Sequence, residues 1–148
     1  MTDVQTITAS TSQLEALQDL LSRSTDTHAW YEAMAERAEP QFRPVALKYR
    51  GLHSEQCDRI GAIMVALGGD PDRTEGIRTA VNRTSVSLRA VFDDIDLDML
   101  SRIEEAEAEV ISDFDASISG LPESRYREEL IDMKAELLKL LGEDPAID

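Results

Sequence analysis

Apolar residues recur every three or four positions along five segments of the chain, and none of the five shows the alternation typical of a β-strand. In the first segment Leu14, Leu17 and Leu21 fall on one side, and Pro40 ends the pattern. This spacing predicts an all-α protein with helices over about residues 12–38, 42–67, 73–92, 96–119 and 123–141.

The connections between the predicted helices differ in length. About three residues join the first helix to the second and the fourth to the fifth, so each pair is expected to form an antiparallel hairpin. Residues 68–94 lie between the hairpins and can return the chain to the opposite end, because twenty helical residues span about 30 Å. The pattern predicts a ferritin-like four-helix bundle over 11–142, with an extra helix in its long crossover. A disordered or extended segment is expected at 1–10, and a polar tail at 143–148.

Polar residues interrupt the apolar stripes at one height of this bundle. Antiparallel pairing about the turn near residue 40 brings His28 level with His53. If the crossover makes the second and fourth helices parallel, Glu104 and Glu107 join the same layer. These four residues are the candidate metal ligands, and the side chains expected to support them are Tyr31, Glu32, Tyr49 and Gln56.

Two interpretations of this layer stay open. Imidazoles and carboxylates on facing helices suit iron or manganese, and bundle cores are where such sites form. Alternatively no metal binds, and the histidines and Tyr31 satisfy the glutamates by hydrogen bonds. The fifth helix argues against metal, because its stripe is apolar near Met133 and Leu137. No histidine follows residue 53, so the last helix cannot carry the Glu-x-x-His motif of di-iron bundles.

Several short motifs carry a resemblance to a known family. They are Tyr31, Gln56, Leu-Gly-Gly-Asp-Pro at 67–71, Ile-Glu-Glu-Ala-Glu at 103–107 and Leu-Pro at 121–122. With these motifs the chain resembles the bacterial ferritin-like four-helix-bundle family of unknown function, domain of unknown function 2383. The resemblance implies the bundle fold and a metal-binding ancestry, and it implies no particular activity.

The charge of the chain excludes some classes of function. Its 148 residues include 30 acidic and 15 basic ones, for a net charge of −15. Such a field repels nucleic acid and anionic membranes, so we expect neither as a partner. One cysteine, no long apolar run and no secretion signal predict a cytoplasmic protein.

The sequence favours a ferritin-like bundle protein, non-catalytic or with a degenerate metal site and related to stress, in which no catalytic residue is predicted. One alternative is an iron- or manganese-binding carboxylate bundle that stores metal or acts on oxygen or peroxide. Another is an acidic module that binds a protein partner. A homodimer is also expected, because two helices carry apolar strips beside the main seam: Leu20, Trp30 and Met34, and Leu47, Gly61 and Met64.

Overall fold

The structure is a computed structural model that describes residues 9–40, 42–73 and 98–142. Within these ranges the chain forms four helices and no strand: α1 (Thr11–Arg37), α2 (Arg43–Ala66), α3 (Asp98–Gly120) and α4 (Arg125–Gly142). These helices confirm an all-α protein. The predicted crossover helix at 73–92, most of the N-terminal segment and the polar tail lie outside the described residues.

Local sequence features mark the start of α1 and both ends of α2. The Ser10 side chain caps α1 by accepting from the Gln13 amide, and the Gln13 side chain accepts from the Ser10 amide in return. α2 carries Pro44 in its first turn, where a missing amide hydrogen is tolerated. Just after α2, Gly68 adopts a φ of 91°, a left-handed conformation that glycine reaches without strain.

The four helices form a ring in which each one packs against two neighbours. α1 packs against α2 and α3, and α4 packs against the same two helices. The Gln13 side chain donates to the Gly120 carbonyl at 2.6 Å, and the Ala9 amide donates to the Leu67 carbonyl at 3.1 Å. The start of α1 therefore lies beside the ends of both α2 and α3. It follows that α2 and α3 run parallel at opposite corners of the ring.

Two arginines join the two helical hairpins. Arg23 on α1 donates to the Asp113 carboxylate on α3 at 2.5 Å and also pairs with Glu109. Arg59 on α2 reaches across to Glu136 on α4 at 3.2 Å. Both side chains are about one-third exposed, so these ion pairs lie at the edge of the packed interior.

Most side chains of the two apolar strips, on which the predicted dimer rests, are buried or partly buried inside the single chain. Leu20, Met34 and Met64 are buried within the single chain, and Trp30 packs partly buried against the core. Of the two strips, the α1 strip is therefore mostly covered by the chain itself, and in the α2 strip Leu47 is exposed. Elsewhere on α2, Val65 is a second exposed large apolar side chain. In the part of the chain that is described, no helix is long and apolar enough to span a bilayer.

Candidate functional site

The centre of the polar layer is the carboxylate of Glu107 on α3. Its side chain has no exposed surface. The Tyr31 hydroxyl on α1 donates to Oε2 at 2.6 Å, and Nε2 of His53 on α2 lies 2.8 Å from Oε2 and 3.0 Å from Oε1. Burying a carboxylate is unfavourable unless donors replace its water, and here two other helices supply them. The carboxylate thus joins three helices at one point.

His53 is oriented by this carboxylate. Since an acceptor faces Nε2, the ring is arranged to carry its hydrogen on that nitrogen. The other ring nitrogen, Nδ1, is buried and has no hydrogen-bond partner among the described residues. The geometry therefore leaves one nitrogen of a fully buried imidazole open to a proton or to a ligand.

The Tyr31 ring packs against three other aromatic rings. The Tyr31 ring stacks on Tyr49, with centroids 5.0 Å apart, and on His53 at 5.7 Å, with 11° between the planes in each case. The Trp30 ring is tilted against Tyr31, with centroids 5.1 Å apart and an angle of 57° between the planes. Tyr49 and His53 lie one helical turn apart on α2, so their rings form one wall against Tyr31. This packing fixes the position from which Tyr31 donates to Glu107.

Gln56 extends the layer to the fourth helix. Its Nε2 donates to the backbone carbonyl of Met133 on α4 at 2.9 Å. Its Oε1 is buried without a hydrogen-bond partner in the described ranges. Gln56 is thus buried and lies one turn after His53 on α2. The sequence could not reveal that α4 contributes a backbone carbonyl, because every residue type carries one.

The other predicted members of the layer lie away from its centre. His28 is half-buried on α1 near His53, and burial lowers the pKa of its imidazole, with a smaller opposing effect from the Glu32 carboxylate. Glu32 itself is exposed at the surface. The structure therefore joins Tyr31, His53 and Glu107 by hydrogen bonds, and His28 and Glu32 take no part in them.

The predicted inward position of Glu104 is wrong. α3 buries Ile103, Glu107, Val110, Phe114 and Ser117, whereas Glu104 is exposed. Neighbouring positions of a helix point about 100° apart around its axis, so the inward Ile103 turns Glu104 toward solvent. The apolar Ile103 occupies the inward position, because burying an unpaired carboxylate there would be unfavourable.

This arrangement does not fit a carboxylate-bridged metal centre. Both oxygens of Glu107 face hydrogen-bond donors, and Glu104 points to solvent. Within the described parts of the chain, no group of three His, Cys, Asp or Glu side chains could hold a metal ion. The geometry shows a four-helix protein with a buried Glu–His–Tyr network.

Comparison with models of known protein families identifies the family to which this helical protein belongs. The family model described as Domain of unknown function (DUF2383) matches residues 12–119, and the chain belongs to that family. The match includes α1, α2 and nearly all of α3, and with them Tyr31, His53, Gln56 and Glu107. No curated protein and no solved structure gives a significant match.

Proposed function

We propose that the chain is a ferritin-like bundle in which the polar layer has a structural, non-catalytic role. The topology supports the ferritin-like assignment: neighbouring helices are antiparallel, and α2 and α3 are parallel at opposite corners. A four-helix bundle with one long crossover has this connectivity.

The hydrogen bonding of Glu107 carries the proposal. Its carboxylate receives donors from α1 and α2 while it lies on α3, inside a core otherwise packed with apolar side chains. A shifted or rotated helix would leave this charge buried without its donors, which is strongly unfavourable. A single buried polar contact can fix helix register in this way. We therefore infer that the layer selects one alignment of α1, α2 and α3.

Metal analysis tests this function. We expect untagged protein purified from cells to hold no stoichiometric metal. Adding ferrous iron under nitrogen, or manganese, should leave the melting temperature unchanged. One or two tightly held metal ions per chain, lost on Glu107→Ala but kept on Glu104→Ala, would contradict the structural role. The Glu104 variant is the matched control, because it removes an exposed carboxylate from the same helix.

A metal-binding function is the second candidate, and one observation favours it. His53 directs Nε2 to the Glu107 carboxylate and leaves Nδ1 without a partner in the described structure. Metal-bound histidines commonly donate their second nitrogen to a carboxylate in this manner. In this candidate His53 would bind iron or manganese, and Glu107 would orient it, so that the protein could store metal or act on oxygen or peroxide.

The same titration separates the two candidates when it is repeated on two variants. Binding through Nδ1 should be lost on His53→Gln and only weakened on Glu107→Gln, because the second change keeps the ligand. A bridging carboxylate would give equal losses in both variants. The structural role predicts no binding to the wild-type protein at all.

Homodimerisation and an acidic surface for a basic protein partner stay predictions. Leu47, Val65 and Leu138 are exposed apolar side chains that a second copy could cover. Light scattering that gives only a 16.5 kDa species at micromolar concentration would contradict the dimer. A partner recognised by the net charge of −15 should be released by salt in a pull-down.

A further inference from the structure

Two oxidisable rings connect the protein surface to the polar layer. Trp30 is partly exposed and packs against the core, whereas Tyr31 is fully buried. Their centroids are 5.1 Å apart. Rings in contact at this distance exchange an electron without an intervening carrier. The Trp30 indole therefore lies nearer the surface, and the Tyr31 phenol lies deeper in the protein.

The phenol has an acceptor for its proton. Oxidation of a tyrosine by one electron gives a neutral phenoxyl radical only if the hydroxyl also loses its proton. The Tyr31 hydroxyl already donates to Oε2 of Glu107 at 2.6 Å, and Nε2 of His53 lies within hydrogen-bond distance of both oxygens of that carboxylate. The proton can thus move within an existing hydrogen bond and needs no path to water.

From these contacts we propose that Tyr31 is a proton-coupled electron donor and that Trp30 relays its electron to a radical oxidant at the surface. The oxidant is an organic radical of the peroxyl class. It takes an electron and a proton from Trp30 and leaves as a hydroperoxide. The Trp30 radical then takes an electron from Tyr31 and a proton from water, while the Tyr31 hydroxyl proton moves to the Glu107 carboxylate. The result is a reduced Trp30, a Tyr31 radical and a protonated Glu107.

The proposal goes beyond the structural role of the layer, because it assigns an electron-transfer reaction to Trp30 and Tyr31. Neither this reaction nor its test involves a metal ion. It places the radical on a ring that stacks between other core side chains and that diffusing molecules cannot reach. A radical held there is kept from attacking other proteins. The activity is stoichiometric scavenging of a one-electron oxidant.

Pulse radiolysis in azide solution tests the relay on the full chain. The azidyl radicals oxidise Trp30, the single tryptophan, and the absorption of the indolyl and phenoxyl radicals is followed in time. We expect the indolyl signal to convert to a phenoxyl signal at a rate that does not depend on protein concentration. The conversion should be slower in deuterium oxide, because a proton moves with the electron.

Two conservative variants locate the donor. Tyr31→Phe should abolish the conversion. Tyr126→Phe should leave it unchanged, because that phenol lies on α4, where it accepts from Arg125. Loss of the conversion in the Tyr126 variant, or an unchanged conversion in the Tyr31 variant, would overturn the proposal. Circular dichroism of each variant confirms that the helices are retained.

The role of the proton acceptor has its own readout. Glu107→Gln should slow the conversion and diminish the solvent isotope effect, since an amide is a poor proton acceptor. If that variant does not fold, the solvent isotope effect on the conversion rate of the wild-type protein shows whether a proton moves with the electron. A wild-type rate that is the same in both solvents would overturn the coupling of electron and proton.

Discussion

The polar layer and the hairpin interface use similar chemical groups in different surroundings. In the layer, Glu107 meets His53 and Tyr31 with no exposed surface on any of the three side chains. At the interface, Arg23 and Arg59 meet carboxylates while about one-third exposed. Water screens the ion pairs of the two arginines, but it cannot reach Glu107 to replace a hydrogen bond that is lost there. A carboxylate removed from the layer should therefore matter far more than one removed from the surface.

Replacing Glu107 should have the largest effect. Glu107→Ala leaves the Tyr31 hydroxyl and the His53 imidazole buried without their acceptor and opens a cavity. We expect the free energy of unfolding to fall by about 3–5 kcal/mol. Urea denaturation followed by circular dichroism measures it. Glu104→Ala is the matched control on the same helix and should change stability by less than about 0.5 kcal/mol. Equal losses in the two variants would show that Glu107 is solvated.

Removing one donor from the layer should have an intermediate effect. Tyr31→Phe keeps the stacked ring and deletes only the hydroxyl that bonds to Glu107. Because a buried carboxylate then lacks one donor, we expect a loss of about 1–3 kcal/mol. Tyr126→Phe removes a hydroxyl from a half-buried ring and serves as the control in the same denaturation experiment. A larger loss for Tyr126→Phe than for Tyr31→Phe would contradict the special position of the layer.

Breaking a surface ion pair should have a smaller effect. Arg23→Gln removes the contacts to Glu109 and Asp113 that join α1 to α3. The expected loss is less than about 1 kcal/mol. Added salt should reduce this loss and leave the effect of Tyr31→Phe unchanged, because salt does not screen the interior. A loss that is independent of salt would place Arg23 in the interior instead.

Replacing His28 should have the smallest effect on stability. Its side chain is half-buried and lies close to His53. Burial lowers the pKa of its imidazole in the folded protein below the ordinary value of 6.5. The unfolded chain therefore binds a proton more readily, and stability should fall as the pH drops through about 6.5. His28→Asn should flatten part of this dependence in urea denaturation at a series of pH values. A pH profile identical to that of the wild type would contradict the burial of His28.

For the four helices that the structure describes, the predicted and observed bounds agree to within about two residues, because proline, glycine and apolar spacing mark the helix ends. The sequence also predicted that Tyr31, His53, Gln56 and Glu107 share a layer, because antiparallel hairpins fix which residues lie at the same height. Height alone does not fix rotation about the helix axis. For that reason Glu104 was expected inside, although Ile103 occupies the inward position. One interpretation of the sequence was that the histidines and Tyr31 form hydrogen bonds to both glutamates. The structure shows such bonds from Tyr31 and His53 to Glu107, and it leaves Glu104 exposed.

The central claim is that the buried Glu107 carboxylate is held by the Tyr31 hydroxyl. A double-mutant cycle tests it most directly, with Tyr31→Phe, Glu107→Met and the double variant compared by urea denaturation. The account predicts that the double variant loses about 1–3 kcal/mol less stability than the two single losses added together, because the second change removes a group that the first left unpaired. Losses that simply add would contradict the claim.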